Sequence, residues 1–230
     1  MKRAVAQQLD QLKAKLNGYV ALLFYRYANL CVEANPIALL PVEVEVEGEM
    51  QRIEDVARVA VQEKYHFVVI PNCEEDLYPL GKAIMKTHPE FKQEVKTLEG
   101  YDDGDPEGQY LYYTMPEVNK DRRNAMLQAV DGLYDECVEK MSKAEQDCTT
   151  QLAKILADSS PSEQEKTAGM VKQIVDQYND MRDQNKEDKK KEIEDAYAEY
   201  QAKQAEKAAQ QQEEQQEKGN PMQMKINTDD

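Results

Sequence analysis

One spacing constrains this chain more than any other feature. Met126, Val130, Leu133, Cys137, Met141, Ala144, Cys148, Leu152 and Ile155 follow one another at steps of four and three. Their mean step is close to 3.6, so the segment is one long, straight helix with a single apolar stripe. Short partners cannot bury a stripe of that length. Two further helical patterns supply long ones: Val5, Leu9, Leu12, Leu16, Tyr19, Leu23 and Leu30 near the start, and Val171, Ile174, Tyr178 and Met181 near the end. The first helix is expected to stop near Ala34, because Pro36 disfavours a helical Asn35. The third is expected to begin on a capping box of Ser162 and Glu165, after the break at Asp158-Ser-Ser-Pro-Ser. It should continue through the polar stretch Arg182–Glu192 to Ile193, Tyr197 and Tyr200. From about Ala205 the chain is rich in Gln and Glu, and residues 205–230 read as a disordered polar tail.

Between the first two helices the period changes to two. Val42, Val44 and Val46 alternate with Glu43, Glu45 and Glu47, which predicts a strand with one buried and one acidic face, turning at Gly48. Further strands are expected at Val59–Val61, Phe67–Ile70 and Tyr110–Thr114, and a short helix over Leu77–Thr87. Gly100–Gly108 reads as a loop. The expected fold is therefore α+β. A three-helix bundle is built from residues 1–34 and 117–204, and a small, β-rich α/β domain over 35–116 is inserted into it. Two connections, at Ala34, Asn35 and Pro36 and at Met115 and Pro116, join the parts and form a natural hinge.

Charge narrows the function. The chain of 230 residues carries a net −16, of which −10 lies in the insert, while residues 1–34 carry +3. A chain this acidic cannot hold nucleic acid through bulk charge, so any RNA contact needs a local basic patch. Candidates are Lys13, Lys15 and Arg26, with Lys2 and Arg3, on the first helix, and Arg122 and Arg123 at the start of the second. Each also reads as a solvated residue, although arginines in a first turn oppose the helix dipole. Tyr110, Tyr112 and Tyr113 read as sheet residues or as stacking platforms for bases. The acidic Glu43, Glu45 and Glu47 read as a solvated face or as a surface for a basic protein.

No apolar run is long enough to span a bilayer, so no membrane partner is expected. Cys31, Cys73, Cys137 and Cys148 form no CxxC pair, which speaks against zinc and for reduced thiols inside a cell. His66 and His88 lie at no informative distance from an acid or nucleophile. With no phosphate loop or nucleophile–base pattern either, the chain is expected to be no enzyme and to need no metal or cofactor. The basic, amphipathic segment MKRAVAQQLDQLKAKL has the character of a mitochondrial presequence, but its apolar spacing continues unbroken into the following residues.

The order of parts resembles the ribosome recycling factor family over about residues 1–200. Ala34-Asn-Pro-Ile-Ala-Leu-Leu resembles the family's first hinge, A-N/S-P-x-L-L, and VEVEVEG follows where the family has a strand. Phe67-Val-Val-Ile-Pro-Asn, Lys82-Ala-Ile-Met-Lys-Thr and Met115-Pro-Glu-Val-Asn-Lys-Asp-Arg-Arg are similar to later family motifs, the last opening the second bundle helix. Lys189-Lys-Lys-Glu-Ile fits the family's late K-E-K-E-I. The resemblance implies an L-shaped, two-domain monomer that binds rRNA and proteins of the large ribosomal subunit. It further implies an elongation factor G-like GTPase that drives recycling after termination mechanically, without covalent chemistry in the factor.

Two signatures are missing. The family's R-T-G-R before the hinge is Leu30, Cys31, Val32 and Glu33 here, and R-N-I-R-R-D is Ser142-Lys-Ala-Glu-Gln-Asp. Arginine binds phosphate through a planar, bidentate fork, and each such contact is worth about 1 kcal/mol or more. The five lost arginines thus keep alternatives open: an assembly factor or structural component of a mitochondrial large subunit, or a helical scaffold away from the ribosome. The mitochondrial matrix is the expected compartment.

Overall fold

The computed structural model describes residues 2–102 and 104–218. Three long helices, α1 (Arg3–Ala28), α4 (Lys120–Ile155) and α5 (Pro161–Lys218), pack on one another. Between α1 and α4 lie β1 (Glu43–Val46), β2 (Glu49–Arg52), α2 (Ile53–Val56), β3 (Ala57–Glu63), β4 (His66–Pro71), α3 (Leu77–Thr87), β5 (Lys92–Thr97) and β6 (Gln109–Thr114). The α+β fold, a helical bundle with an inserted β-rich unit, is as expected.

The bundle core is made by the predicted stripes, with local corrections. On α1 the buried residues are Val5, Leu9, Leu12, Leu16, Val20, Leu23 and Tyr27; Tyr19 and Leu30 only flank them. The basic N-terminal segment is thus built into the bundle. On α4, Met126, Val130, Cys137, Met141, Ala144, Cys148 and Leu152 are buried. On α5, Val171, Ile174, Val175, Ile193 and Ala196 are buried, whereas Met181 is 45% exposed. Its neighbour Arg182 turns inward instead, over the Tyr134 ring and bonded to Asp183 and Asn179.

The insert has its own core. The four-stranded antiparallel sheet runs β3-β4-β6-β5, with Phe67 opposite Tyr113 and Val69 opposite Leu111. These residues face Leu80 and Ile84 of α3, and with Leu39, Val44 and Ile53 they form a second cluster. Directly paired strand residues share a face, so this alternation fixes the register. β1 and β2 form a separate hairpin, turned at Glu47 (φ 52°) and Gly48 (φ 83°). Two successive positive φ values give the turn whose twist matches the strands, and glycine bears the second without strain.

Three expectations fail, and two strands went unread, for identifiable reasons. α1 ends at Ala28, not Ala34, because Cys31 and Val32 are drawn into different cores. A helix cannot send adjacent side chains in opposite directions; extended chain can. α5 starts at Pro161, and its first turn is satisfied by Ser160, whose Oγ and carbonyl oxygen accept from Glu163 N–H, so the predicted box at Ser162 is displaced by two residues. β2 and β5 went unread because EMQR and KQEVKT lack alternation; both lie at sheet edges, where charged residues are favoured. Finally, residues 205–218 belong to α5 rather than to a disordered tail. Ala, Gln, Glu and Lys are strong helix formers, and no glycine or proline interrupts them before Gly219. The remainder of the predicted tail, residues 219–230, lies outside the described residues.

Candidate functional site at the joint between bundle and insert

The two connections meet at the turn between β3 and β4. Ala34 N–H donates to the Lys64 carbonyl and Met115 N–H to the Tyr65 carbonyl, both at 2.8 Å. Asn35 Oδ1 accepts from Ile37 N–H at 3.0 Å and caps the 3₁₀ turn at Pro36–Leu39. Pro116 has no N–H, but its carbonyl accepts from the Arg122 guanidinium. The residues read as a hinge are therefore tied to one edge of the insert. Met115 lies in the insert core and Val118 in the bundle core, so the chain passes from one core to the other within three residues.

Arg122 links the connections. Its guanidinium donates to the Pro116 carbonyl and, at 2.8 Å, to the Cys31 carbonyl. Burial draws its pKa below the usual arginine value, while Glu90 opposes that shift. Two carbonyls at one planar fork suit arginine better than lysine. The Asn119 side chain caps α4 by accepting from Arg122 N–H at 2.9 Å.

Arg123 points to α5. It donates to both carboxylate oxygens of Glu194, through Nε at 2.7 Å, and lies over the Tyr197 ring. That pairing raises the Arg123 pKa and lowers that of Glu194. Arg26 pairs with Glu136 of α4 at 2.7 Å. Lys13 and Lys15 are exposed. At 100° per residue, Lys15 and Arg26 flank the buried stripe of α1 on one side and Lys13 on the other, while Lys2, which precedes the helix, donates to Ser159 Oγ at 2.7 Å. The structure thus splits the predicted basic face of α1 and engages Arg26, Arg122 and Arg123 with partners inside the molecule.

The remaining singled-out residues are mostly structural. Tyr113 is fully buried, stacked on Phe67 with centroids 5.2 Å apart. Tyr110 and Tyr112 lie on the opposite face of the sheet, with Lys96 Nζ 3.2 Å from the Tyr112 centroid. His88 donates through Nε2 to the Ala38 carbonyl at 2.8 Å and stacks on Phe91. Cys31, Cys137 and Cys148 are buried and Cys73 is exposed; burial raises the pKa of each buried thiol.

Two concavities flank the joint. One, of about 530 Å³, is lined by Asn29, His88, Phe91, Met115, Arg122 and Met126. The other, of about 310 Å³, is lined by Phe24, Glu33, Ile37, Asp188, Lys189 and Glu192. Sequence reasoning found both connections and the two arginines. It missed Lys64, Tyr65, Glu194, Glu199 and Lys203, because nothing in spacing brings the β3–β4 turn to residues 194–203 of α5.

The profile of the ribosome recycling factor family matches residues 28–193. The chain is 27% identical to the ribosome-recycling factor of Methylobacterium radiotolerans over 173 residues, 74% of this chain and 87% of that protein. It is 26% identical to the ribosome-recycling factor of Beijerinckia indica over 188 residues, covering 80% and 95% of the two chains. Its fold is similar to a solution structure of the ribosome recycling factor, with a TM-score of 0.67, 16% identity and coverage of 85% of this chain and 100% of the other. It is also similar to the Thermus thermophilus ribosome recycling factor in a complex with Escherichia coli elongation factor G on the post-termination complex. That likeness has a TM-score of 0.55 and 20% identity, over 82% of this chain and 98% of the other.

Proposed function

The chain belongs to the ribosome recycling factor family, and on that premise we propose that it binds the large ribosomal subunit as a monomer and acts in recycling after termination. The family match over residues 28–193, which includes both connections, carries this reading. The factor's work is mechanical: a bundle and an insert of separate cores move against one another, driven by an elongation factor G-like GTPase. No bond is made or broken by the chain itself. The matrix of mitochondria is the proposed compartment, where a protein-rich ribosome offers basic protein surfaces to the acidic Glu43 and Glu45.

A second reading rests on the arginines. Leu30, Glu33, Ser142, Glu145 and Gln146 stand where the resemblance leads one to expect arginine, and Arg122 and Arg123 are engaged internally. Reduced phosphate contact favours a role as an assembly factor or structural component of a mitochondrial large subunit.

Gradient sedimentation of the tagged full chain from organelle lysate, at low and moderate salt with rRNA profiled in each fraction, separates the readings. Salt-labile co-migration with mature subunits or monosomes supports recycling. Stable co-migration with precursor particles alone supports assembly. Recovery only at the top of the gradient at both salts overturns both.

A further inference from the structure

α5 does not stop where the family match stops. The match ends at residue 193, and the helix continues to Lys218. The first turns of this continuation lie against the joint. Glu194 takes the Arg123 guanidinium, and Ala196 is buried in the bundle. Glu199 accepts from Lys64 Nζ of the insert, and that ammonium also lies 4.0 Å from Glu33 in the first connection. Lys203 pairs with Glu117 in the second connection at 3.2 Å and with Glu199 at 3.8 Å, and its Nζ is 5.0 Å from the Tyr65 ring centroid. One stretch of α5 therefore reaches the insert and the second connection directly, and the first connection through Lys64.

We infer that residues 194–203 of α5 form a clasp that holds the insert against the bundle and limits bending at the joint. Charge alternates through it: Glu33, Lys64, Glu199, Lys203, Glu117. Each carboxylate lies between or beside ammonium groups, and the Lys64–Glu199 pairing shifts both groups toward their charged forms. Isolated exposed pairs are worth little, but a network that shares its members loses less side-chain entropy for each contact made. The side chains of Lys64, Glu199 and Lys203 are 43%, 40% and 37% exposed, so water and salt reach the clasp. It is consequently a reversible restraint, closed at low ionic strength and loosened as screening shortens. The inference rests on the proposed function only for its use, since a restrained joint matters to a factor that works by bending.

The test uses the full chain, free in solution. Spin labels at the exposed Cys73 of the insert and at Glu139→Cys on the exposed surface of α4 report the separation of the two units by pulsed dipolar spectroscopy. The expected result is a narrow distance distribution that broadens in Glu199→Gln/Lys203→Gln, while Lys166→Gln, exposed in the first turns of the same helix and far from the joint, leaves it unchanged. An unmodified width in Glu199→Gln/Lys203→Gln overturns the clasp. A salt titration of the otherwise unaltered labelled chain guards against misfolding of the double variant. Raising salt from about 0.01 M to about 1 M shortens the screening length from about 30 Å to about 3 Å and should reproduce the broadening; a width indifferent to salt also overturns the inference. No ribosome enters this measurement, so failure of the ribosomal reading and failure of the clasp remain distinguishable.

Discussion

The guanidinium of Arg122 donates to the carbonyl oxygen of Cys31 at 2.8 Å, across 91 positions of sequence. The same group bonds the Pro116 carbonyl, so one side chain fastens the outgoing and the returning connection. Arg122→Ala should lower the stability of the chain by about 2 kcal/mol. Hydrogen bonds to charged groups are worth roughly 1.5–3 kcal/mol each, and water in the adjacent cavity can replace part of what is lost. Arg122→Lys should recover less than half, because a single ammonium cannot reproduce the planar fork. Urea unfolding of the three proteins measures the order; equal midpoints for Arg122→Ala and the parent would contradict it.

Two tyrosines should make the chain sensitive to alkali. Burial, and for Tyr27 also the nearby Cys137 and Asp131, pushes the phenols of Tyr27 and Tyr113 far above the ordinary value of 10.0. Tyr27 donates to the Val130 carbonyl at 3.0 Å and Tyr113 to Gln93 Oε1 at 2.8 Å. A pKa raised on folding gives stability that is fully present below the unfolded value and is lost as pH climbs from there toward the folded value. Stability should thus fall above about pH 10. Tyr27→Phe and Tyr113→Phe should each start about 1 kcal/mol lower at neutral pH and decline less steeply in alkali. Denaturant curves from neutral to alkaline pH read both effects.

The two cores should respond separately. Leu16 lies wholly inside the bundle cluster and Phe67 inside that of the insert. Leu16→Ala should cost about 2–5 kcal/mol and Phe67→Ala about 3–5 kcal/mol. Their signatures should differ: amide exchange should accelerate mainly in α1, α4 and α5 for the first, and mainly in β3–β6 for the second. Uniform acceleration in both variants would mean that the parts unfold as one unit.

The start of α5 offers a test of position. Ser160 Oγ accepts from Glu163 N–H at 3.3 Å, whereas Ser162 lies within the first turn of the helix. Ser160→Ala should cost about 0.5–1 kcal/mol. Ser162→Ala should be close to neutral, since alanine is the better helix former. Thermal unfolding of both variants decides which serine is the cap.

Much of the fold was legible because its signals are local and periodic. The 3.6-residue stripes of α1 and α4 gave the bundle, and the alternation of Val42, Val44 and Val46 with glutamates gave the start of the insert. The motif Ala34-Asn-Pro and the pair Arg122-Arg123 marked the joint. Local signals failed where a competing tertiary demand decided. Pro36 set only a limit on α1, and the divergence of Cys31 and Val32 set its end. Met181 fits the apolar stripe of α5, yet Arg182 is buried in its place because Tyr134, Asp183 and Asn179 are there to receive it. A buried cation is tolerable only with such partners, and they come from another helix as well as its own.

By itself, then, the sequence determined what periodicity and backbone chemistry can specify: three amphipathic helices, a half-buried strand turning at Gly48, the β3, β4 and β6 strands of the sheet, and the two places where the chain crosses between bundle and insert. Only the tertiary structure decided what the charged residues do. Arg122, Arg123, Lys64, Glu199 and Lys203 look alike as solvated charges along the chain. Their roles arise from contacts between residues up to 135 positions apart, such as Lys64 with Glu199. Electrostatic and hydrogen-bonding partners act over a few ångströms, and distances that short exist only after the cores have placed the helices and the sheet.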